Sequence, residues 1–213
     1  GSSGSGKTTL AALLLRFYNP VLGEIKSNQI NIADIPLSVW RQQIAWVPQD
    51  VILFSGSIRD NIAYGNLQAS DADIEDAAKK ANALDFIRSF PDGFNTLVGE
   101  RGIQLSGGQR QRVNIARALC AVPRILVADE IVSGLDVSVQ AQILNLLAQL
   151  RDALGLSLIF ITHNIGVVEY LADRVAVMHE GRIVEHGDAT RLIEQPQDAY
   201  TQSLLASVPR LRT

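Results

Sequence analysis

The first eight residues, Gly1-Ser2-Ser3-Gly4-Ser5-Gly6-Lys7-Thr8, spell the pattern G-x-x-x-x-G-K-T. Glycines at this spacing let successive backbone N–H groups wrap around phosphate oxygens at a helix N-terminus. A lysine there reaches the β and γ phosphates, and a threonine offers its hydroxyl to Mg²⁺. The competing reading is a flexible Gly/Ser spacer that happens to end in Lys-Thr. A second acid-bearing element follows far downstream. The apolar run Ile125-Leu126-Val127-Ala128 reads as a buried strand and ends on Asp129-Glu130. Ligands collect at such strand ends in open α/β sheets, where Asp129 can hold Mg²⁺ through water and Glu130 can polarise an attacking water. Alone, an acidic pair after a strand is often just a solvated turn. Leu105-Ser106-Gly107-Gly108-Gln109 is a third constellation. A capping box explains Ser106 and Gln109 without any ligand. It leaves unexplained two glycines in a first helical turn, each costing up to ~1 kcal/mol in a helix interior. Close approach of backbone to a phosphate explains them.

These groups need a scaffold. Leu10, Leu13, Leu14 and Phe17 recur at helical spacing, so a helix is expected over 7 to 18 and the glycine tract becomes a loop feeding it. Short β-like pieces follow in 21 to 35, and Ile44-Ala45-Trp46-Val47 reads as a strand stopped by Pro48. From Ser70, a plausible N-cap, to about Phe90 the pattern is Ala- and Asp-rich helix, closed by a turn at Pro91-Asp92-Gly93. Beyond Pro123, strand and helix alternate: strand 125 to 128, helix 137 to 154, strand 158 to 161, helix 164 to 171, strand 174 to 178. That is βαβ repetition, hence a parallel sheet covered by helices. The long helix carries Val139, Ile143, Leu146, Leu147, Leu150 and Leu154 on one face, and Gly155 stops it.

Composition narrows the partners. The 213 residues are 47% hydrophobic and 19% charged, enough for one sizeable core. Nineteen Lys plus Arg against 22 Asp plus Glu leave a net charge of −3, so no broad basic field invites nucleic acid. No apolar run approaches the ~20 residues of a membrane-spanning helix. The lone Cys120 is expected to be a small core residue in a reducing, cytoplasmic setting. Arg110, Arg112, Arg117 and Arg124 read as a solvated helix face.

With Gln49 after a strand, Ser133-Gly134-Leu135-Asp136 and His163 added, the order and approximate spacing of the motifs resemble the ATP-binding cassette (ABC) ATPases over essentially the whole chain. The resemblance implies an α/β fold, a P-loop NTPase core with a mainly parallel sheet plus an inserted α-helical subdomain. It makes 1–213 a single ABC ATPase domain, with core at 1–49 and 121–190, helical subdomain at 50–120 and a C-terminal appendage at 191–213. By the same resemblance, Gly1 to Thr8 bind ATP, and Thr8, Gln49 and Asp129 serve Mg²⁺. Gln49 also senses the water and relays contact with a transmembrane permease. Glu130 is the general base and His163 the switch residue at the γ-phosphate. Ser106, Gly107, Gly108 and Gln109 complete the site of a second ABC ATPase domain in a head-to-tail dimer, and Asp136 lies across that interface. The implied function is Mg²⁺-dependent ATP hydrolysis that powers transmembrane transport at the cytoplasmic face of a membrane. Its rivals are a soluble cassette ATPase acting on nucleic acid or ribosomes, and an ATP-binding regulatory module without turnover. The acidic balance argues against the first, and intact Glu130 and His163 against the second.

Three positions depart from the family pattern: Ile131 stands where a small residue or proline is general, Gly134 where alanine is common, and Asn164 where an acid usually follows the switch histidine. The chain also looks mosaic. Residues 1 to about 120 resemble exporter-type cassettes, and about 123 to 213 resemble oligopeptide or nickel importer ATPases. The strand and the adenine-stacking aromatic that precede the loop in the family have no counterpart here, so the chain looks like a fragment.

Overall fold

A computed structural model describes residues 5–99 and 102–207. The chain divides into two compact units, one made of Gly1–Val21 with Phe160–Thr213, the other of Leu22–Ile159. No helix among the described residues is long and apolar enough to cross a membrane.

The Leu22–Ile159 unit is built on a parallel pairing of Ile44–Val47 with Ile125–Asp129, in register from Ile44 opposite Ile125 to Val47 opposite Ala128. The strand that opens at Ser157 lies on the other side of Ile125–Asp129. Val47, Leu126, Val127 and Ala128 are buried, which accounts for a strand that reads as a continuous apolar run. The helix Val137–Leu154 covers the pattern expected of it and ends at Gly155, whose φ of 62° is the left-handed stop that glycine allows. Its buried stripe is Ile143, Leu146, Leu147 and Leu150; Leu154 falls outside that stripe, 40% exposed.

Between the paired strands lie the helices Ile58–Ala63, Asp71–Lys80, Leu84–Ser89 and Gly107–Cys120. Ser57, Ser70 and Ser106 each start a helix through a capping box, with Asp60, Asp73 and Gln109 as the reciprocal partners. Gly107–Cys120 is the central helix, packing on Ile58–Ala63, on Asp71–Lys80 and on Ile44–Val47. Val113, Ile115, Ala116 and Leu119 are buried along it. Cys120 is buried as well, and burial pushes its thiol pKa up, so it stays a protonated core residue.

In the other unit the helix after the glycine tract is Lys7–Leu14, shorter than the apolar spacing predicts. Arg16 takes a left-handed φ of 54°. Its N–H donates to the Leu13 carbonyl, and the Phe17 N–H donates to the Ala12 carbonyl, a Schellman end with arginine where glycine is usual. Arg174–His179 also differs from expectation: it pairs antiparallel with Arg182–Asp188. Glu180 and Gly181, with φ of 47° and 75°, form the two-residue left-handed turn that a hairpin's twist favours.

The helix Ala199–Ala206 is tied to that hairpin. The Glu185 carboxylate accepts from the Gln197 and Asp198 N–H groups at 2.9 and 3.1 Å, and Tyr200 stacks on His179 with centroids 3.8 Å apart. Donation from the Gln197 and Asp198 backbone holds the Glu185 carboxyl below the ordinary carboxylate range. A depressed pKa in the folded state adds stability above the unfolded value, near 4.3, and that contribution fades as pH falls through the folded value. Glu185→Gln is therefore expected to lower the thermal midpoint near neutral pH, by a margin that shrinks as pH falls below the unfolded carboxylate value near 4.3. Melting curves across pH check this; a difference that stays constant down to low pH contradicts the role of the charge.

Candidate functional site

The glycine-rich segment enters the helix Lys7–Leu14 through Gly6 at φ 92°, a left-handed conformation that glycine adopts without a Cβ penalty. Ser5 is buried and its carbonyl accepts from the Gly181 N–H at 3.2 Å, which pins the entry to the Glu180-Gly181 turn. Lys7 Nζ turns back to donate to Ser5 Oγ at 3.4 Å. Among the described residues no side chain caps the first turn, which has Lys7 and Thr8 in it. A helix start of this kind offers its N–H groups and the positive end of its dipole to an anion. Gly1, Ser2, Ser3 and Gly4 lie outside the described residues. In the same unit His163 is exposed, and the next residue, Asn164, caps the helix Ile165–Leu171 by accepting from the Gly166 N–H at 3.0 Å. The departure at 164 thus keeps a capping oxygen where an acid is usual.

In the Leu22–Ile159 unit the strand Ile125–Asp129 ends on Asp129, which is 5% exposed, and the chain turns at once at Glu130. Glu130 has a φ of 48°. For a residue with a Cβ this costs roughly 1–2 kcal/mol and persists only where the surroundings fix it. Ile131 and Val132 provide that fixation, buried at 2% and 4% exposure, with the Ser133 N–H closing the turn onto the Glu130 carbonyl at 2.9 Å. The β-branched residue at 131 is therefore a core anchor of the acidic corner. Gly134, φ 73°, meets the demand for a left-handed residue that alanine meets poorly. Asp136 is exposed and starts Val137–Leu154 through its backbone, its carbonyl accepting from the Gln140 N–H.

Ser106 and Gln109 are reciprocally engaged in their capping box, at 3.2 and 3.0 Å. The glycines between them have a steric cause inside the unit. A Cβ on Gly107 would lie 3.0 Å from Leu135 Cδ2, and one on Gly108 would lie 2.8 Å from Val139 Cγ1. Gln49, Gly107, Ile131, Ser133, Gly134 and Leu135 line one cavity of about 410 Å³. The fold thus gathers Gln49, the Ser106–Gln109 turn and the loop after Glu130 around a shared space. Gln111 also lines it; this side chain is 2% exposed, and its Nε2 finds no hydrogen-bond partner among the described residues. Lys7, Thr8 and His163 belong to the other unit.

The arginines expected on a solvated face are not all there. Arg117 is the clearest exception: Nε donates to the Asn61 carbonyl at 2.8 Å, one terminal nitrogen to Asn61 Oδ1 at 2.7 Å and the other to the Ile52 carbonyl at 3.1 Å. Its guanidinium also lies 5.0 Å from the centre of the Phe54 ring. Burial lowers its pKa, yet an arginine remains charged. Asn61, fully buried, completes the knot by donating to the Phe54 and Ser57 carbonyls and accepting from the Phe54 N–H. This clamp holds the segment just after Gln49. Sequence reading missed Asn61, whose only signal was a polar residue inside an apolar helical stretch.

Residues 1–133 match the family model of the ABC transporters. The chain is 46% identical over 195 residues to the heterocyst differentiation ATP-binding protein HepA of Nostoc, covering 92% of this chain and 32% of that protein. It is 47% identical over 199 residues to an ATP-dependent lipid A-core flippase of Chromobacterium violaceum, covering 92% and 33%. A bacterial Atm1-family ABC exporter solved with ATP bound superposes with a TM-score of 0.86 at 37% identity, covering 100% of this chain and 36% of that one. The chain spans about a third of the length of the curated relatives it matches. The matches to these relatives run well past residue 120, into the part expected from its sequence to resemble importer ATPases. The glycine-led helix start, the acidic strand end and the glycine turn thus belong to a fold shared with an exporter solved with ATP bound, and the chain belongs to the ABC transporter family of ATP-binding domains.

Proposed function

We propose that the chain hydrolyses ATP as one of two cassettes in a head-to-tail dimer, and that the dimer drives a transmembrane permease from the cytoplasmic face of a membrane. The observation that carries this reading is the corner at Asp129 and Glu130, a buried acid at a strand end followed by a second acid held in a left-handed turn by Ile131 and Val132. Glu130 polarises the attacking water; Lys7 and the N–H groups at the start of its helix hold the phosphates. His163 touches the γ-phosphate, and Gln49 links the site to the permease through the segment that Arg117 and Asn61 clamp. Thr8, Gln49 and Asp129 are oxygen donors of the kind Mg²⁺ takes, and the ion supplies charge neutralisation when bound. The division at 50–120 and 191–213 is read as helical subdomain and C-terminal appendage of one ATPase domain. The exporter names of the relatives support transport over the rival functions.

A mixture of two inactive chains tests the shared site. Ser106→Arg removes the face offered to the partner's nucleotide, and Lys7→Ala removes a chain's own phosphate grip. In a head-to-tail dimer the mixture retains one composite site with both faces intact, so phosphate release is expected to return in part. A mixture as inactive as either parent, with heterodimers present by native mass spectrometry, overturns the dimer geometry. Binding of ATP by the wild type with no turnover above Lys7→Ala overturns the enzyme in favour of the regulatory module.

A further inference from the structure

We infer that Val139, in the first turn of Val137–Leu154, is a positioning residue for the Ser106–Gln109 turn, and that Gly108 is glycine because Val139 occupies the space its side chain would need. The functional half of this inference rests on the proposed ATPase reading; the packing half stands without it. Gly107 and Gly108 are the first two residues of the helix Gly107–Cys120, although every residue except proline has a higher intrinsic helix propensity than glycine. The 2.8 Å from a Cβ on Gly108 to Val139 Cγ1 is closer than packed carbons approach. Rotation offers little relief, because a β-branched side chain in a helix is confined to essentially one χ1 well. Val139 Cβ itself would lie at 4.0 Å, an ordinary contact, so the obstruction is the γ-methyl alone.

Further contacts extend the seam. Arg112 donates to Gln142 Oε1 at 2.7 Å, and Gln140 Nε2 holds the Leu135 carbonyl at 2.9 Å while the Leu135 side chain faces Gly107. The starts of the two helices are therefore locked to each other in register. A displacement of one carries the other, which couples the Ser106–Gln109 turn to the Leu135-Asp136 loop inside a single chain. A methyl at 108 pushes this pair apart, and small misplacements at a site that acts by positioning cost turnover heavily.

Four chains decide the matter: wild type, Gly108→Ala, Val139→Ala and the double variant. Helix propensity alone predicts that alanine at 108 stabilises. The contact predicts the opposite sign in the wild-type background and the propensity sign once the γ-methyls are gone. Gly108→Ala is thus expected to lower the thermal midpoint of wild type and to raise that of Val139→Ala. Saturated ATP turnover is expected to fall at least ~10-fold in Gly108→Ala and to recover by a similar factor in the double variant. Affinity of the separate chain for a fluorescent ATP analogue should hold throughout, since the phosphate loop is untouched. A midpoint that rises in both backgrounds overturns the packing contact. Restored stability without restored turnover overturns the positioning role and assigns Gly108 to nucleotide approach instead. If wild type shows no turnover above Lys7→Ala, the proposed function has failed, and the signs of the four midpoints still decide the contact.

Discussion

Glu130→Gln is expected to slow ATP turnover by at least ~100-fold while leaving nucleotide binding intact, because a general base contributes typically 10²–10⁴ to the rate. The substitution keeps the size of the side chain and asks nothing new of the backbone. Glutamine at φ 48° meets the same steric demand as glutamate, and Ile131 and Val132 still anchor the turn. What is lost is a group able to take a proton from water. A chain that binds ATP and cannot cleave it should accumulate as an ATP-bound dimer, visible as an earlier peak in size-exclusion chromatography with ATP and Mg²⁺. Turnover within a few-fold of wild type removes Glu130 from the role of base.

Asn61→Ala is expected to produce the largest loss of stability away from the chemistry. The side chain is fully buried and satisfies the Phe54 N–H, the Phe54 and Ser57 carbonyls and the Arg117 guanidinium at 2.7–3.0 Å. Truncation strands the carbonyl of buried Ser57 and removes the partners of the Phe54 backbone and the half-buried Arg117 guanidinium; at about 1–3 kcal/mol for a stranded buried group and less for the others, a loss of about 3 kcal/mol follows. For a chain of this size that lowers the thermal midpoint by roughly 6–12 °C. Asn61→Asp separates the two halves of the knot: it keeps an acceptor for Arg117 and sets an oxygen against the Phe54 and Ser57 carbonyls. Calorimetry showing Asn61→Ala within about 1 kcal/mol of wild type would mean that water replaces the side chain.

The elements read most directly from sequence are those whose cause is local. Val137–Leu154 ends where Gly155 stops it, Ile44–Val47 stops at Pro48, and Ser70 caps the helix it precedes. The helix from Lys7 ran too long in prediction because its apolar spacing continues to Phe17, while the left-handed Arg16 that ends it carries no glycine to mark the stop. The alternation of strand and helix before it predicts a parallel strand at Arg174, but the left-handed Glu180-Gly181 turn makes it one arm of an antiparallel hairpin. Motif residues were recognisable by type and order, but their reasons for being there were not. Gly108 owes its identity to Val139, and Arg117 its burial to Ile52 and Asn61, partners far away along the chain.

The capping boxes at Ser57, Ser70 and Ser106 also bear on the order in which the Leu22–Ile159 unit assembles. Each box closes between residues three apart, so these helices have starts that form at small entropic cost. The parallel pairing of Ile44 with Ile125 has no such shortcut; it must close a loop over the whole intervening helical stretch before any ladder bond rewards it. The strand that carries Asp129 is accordingly a late arrival in folding. On this entropic ground the acids are expected to gain their neighbours after the surrounding helices have started.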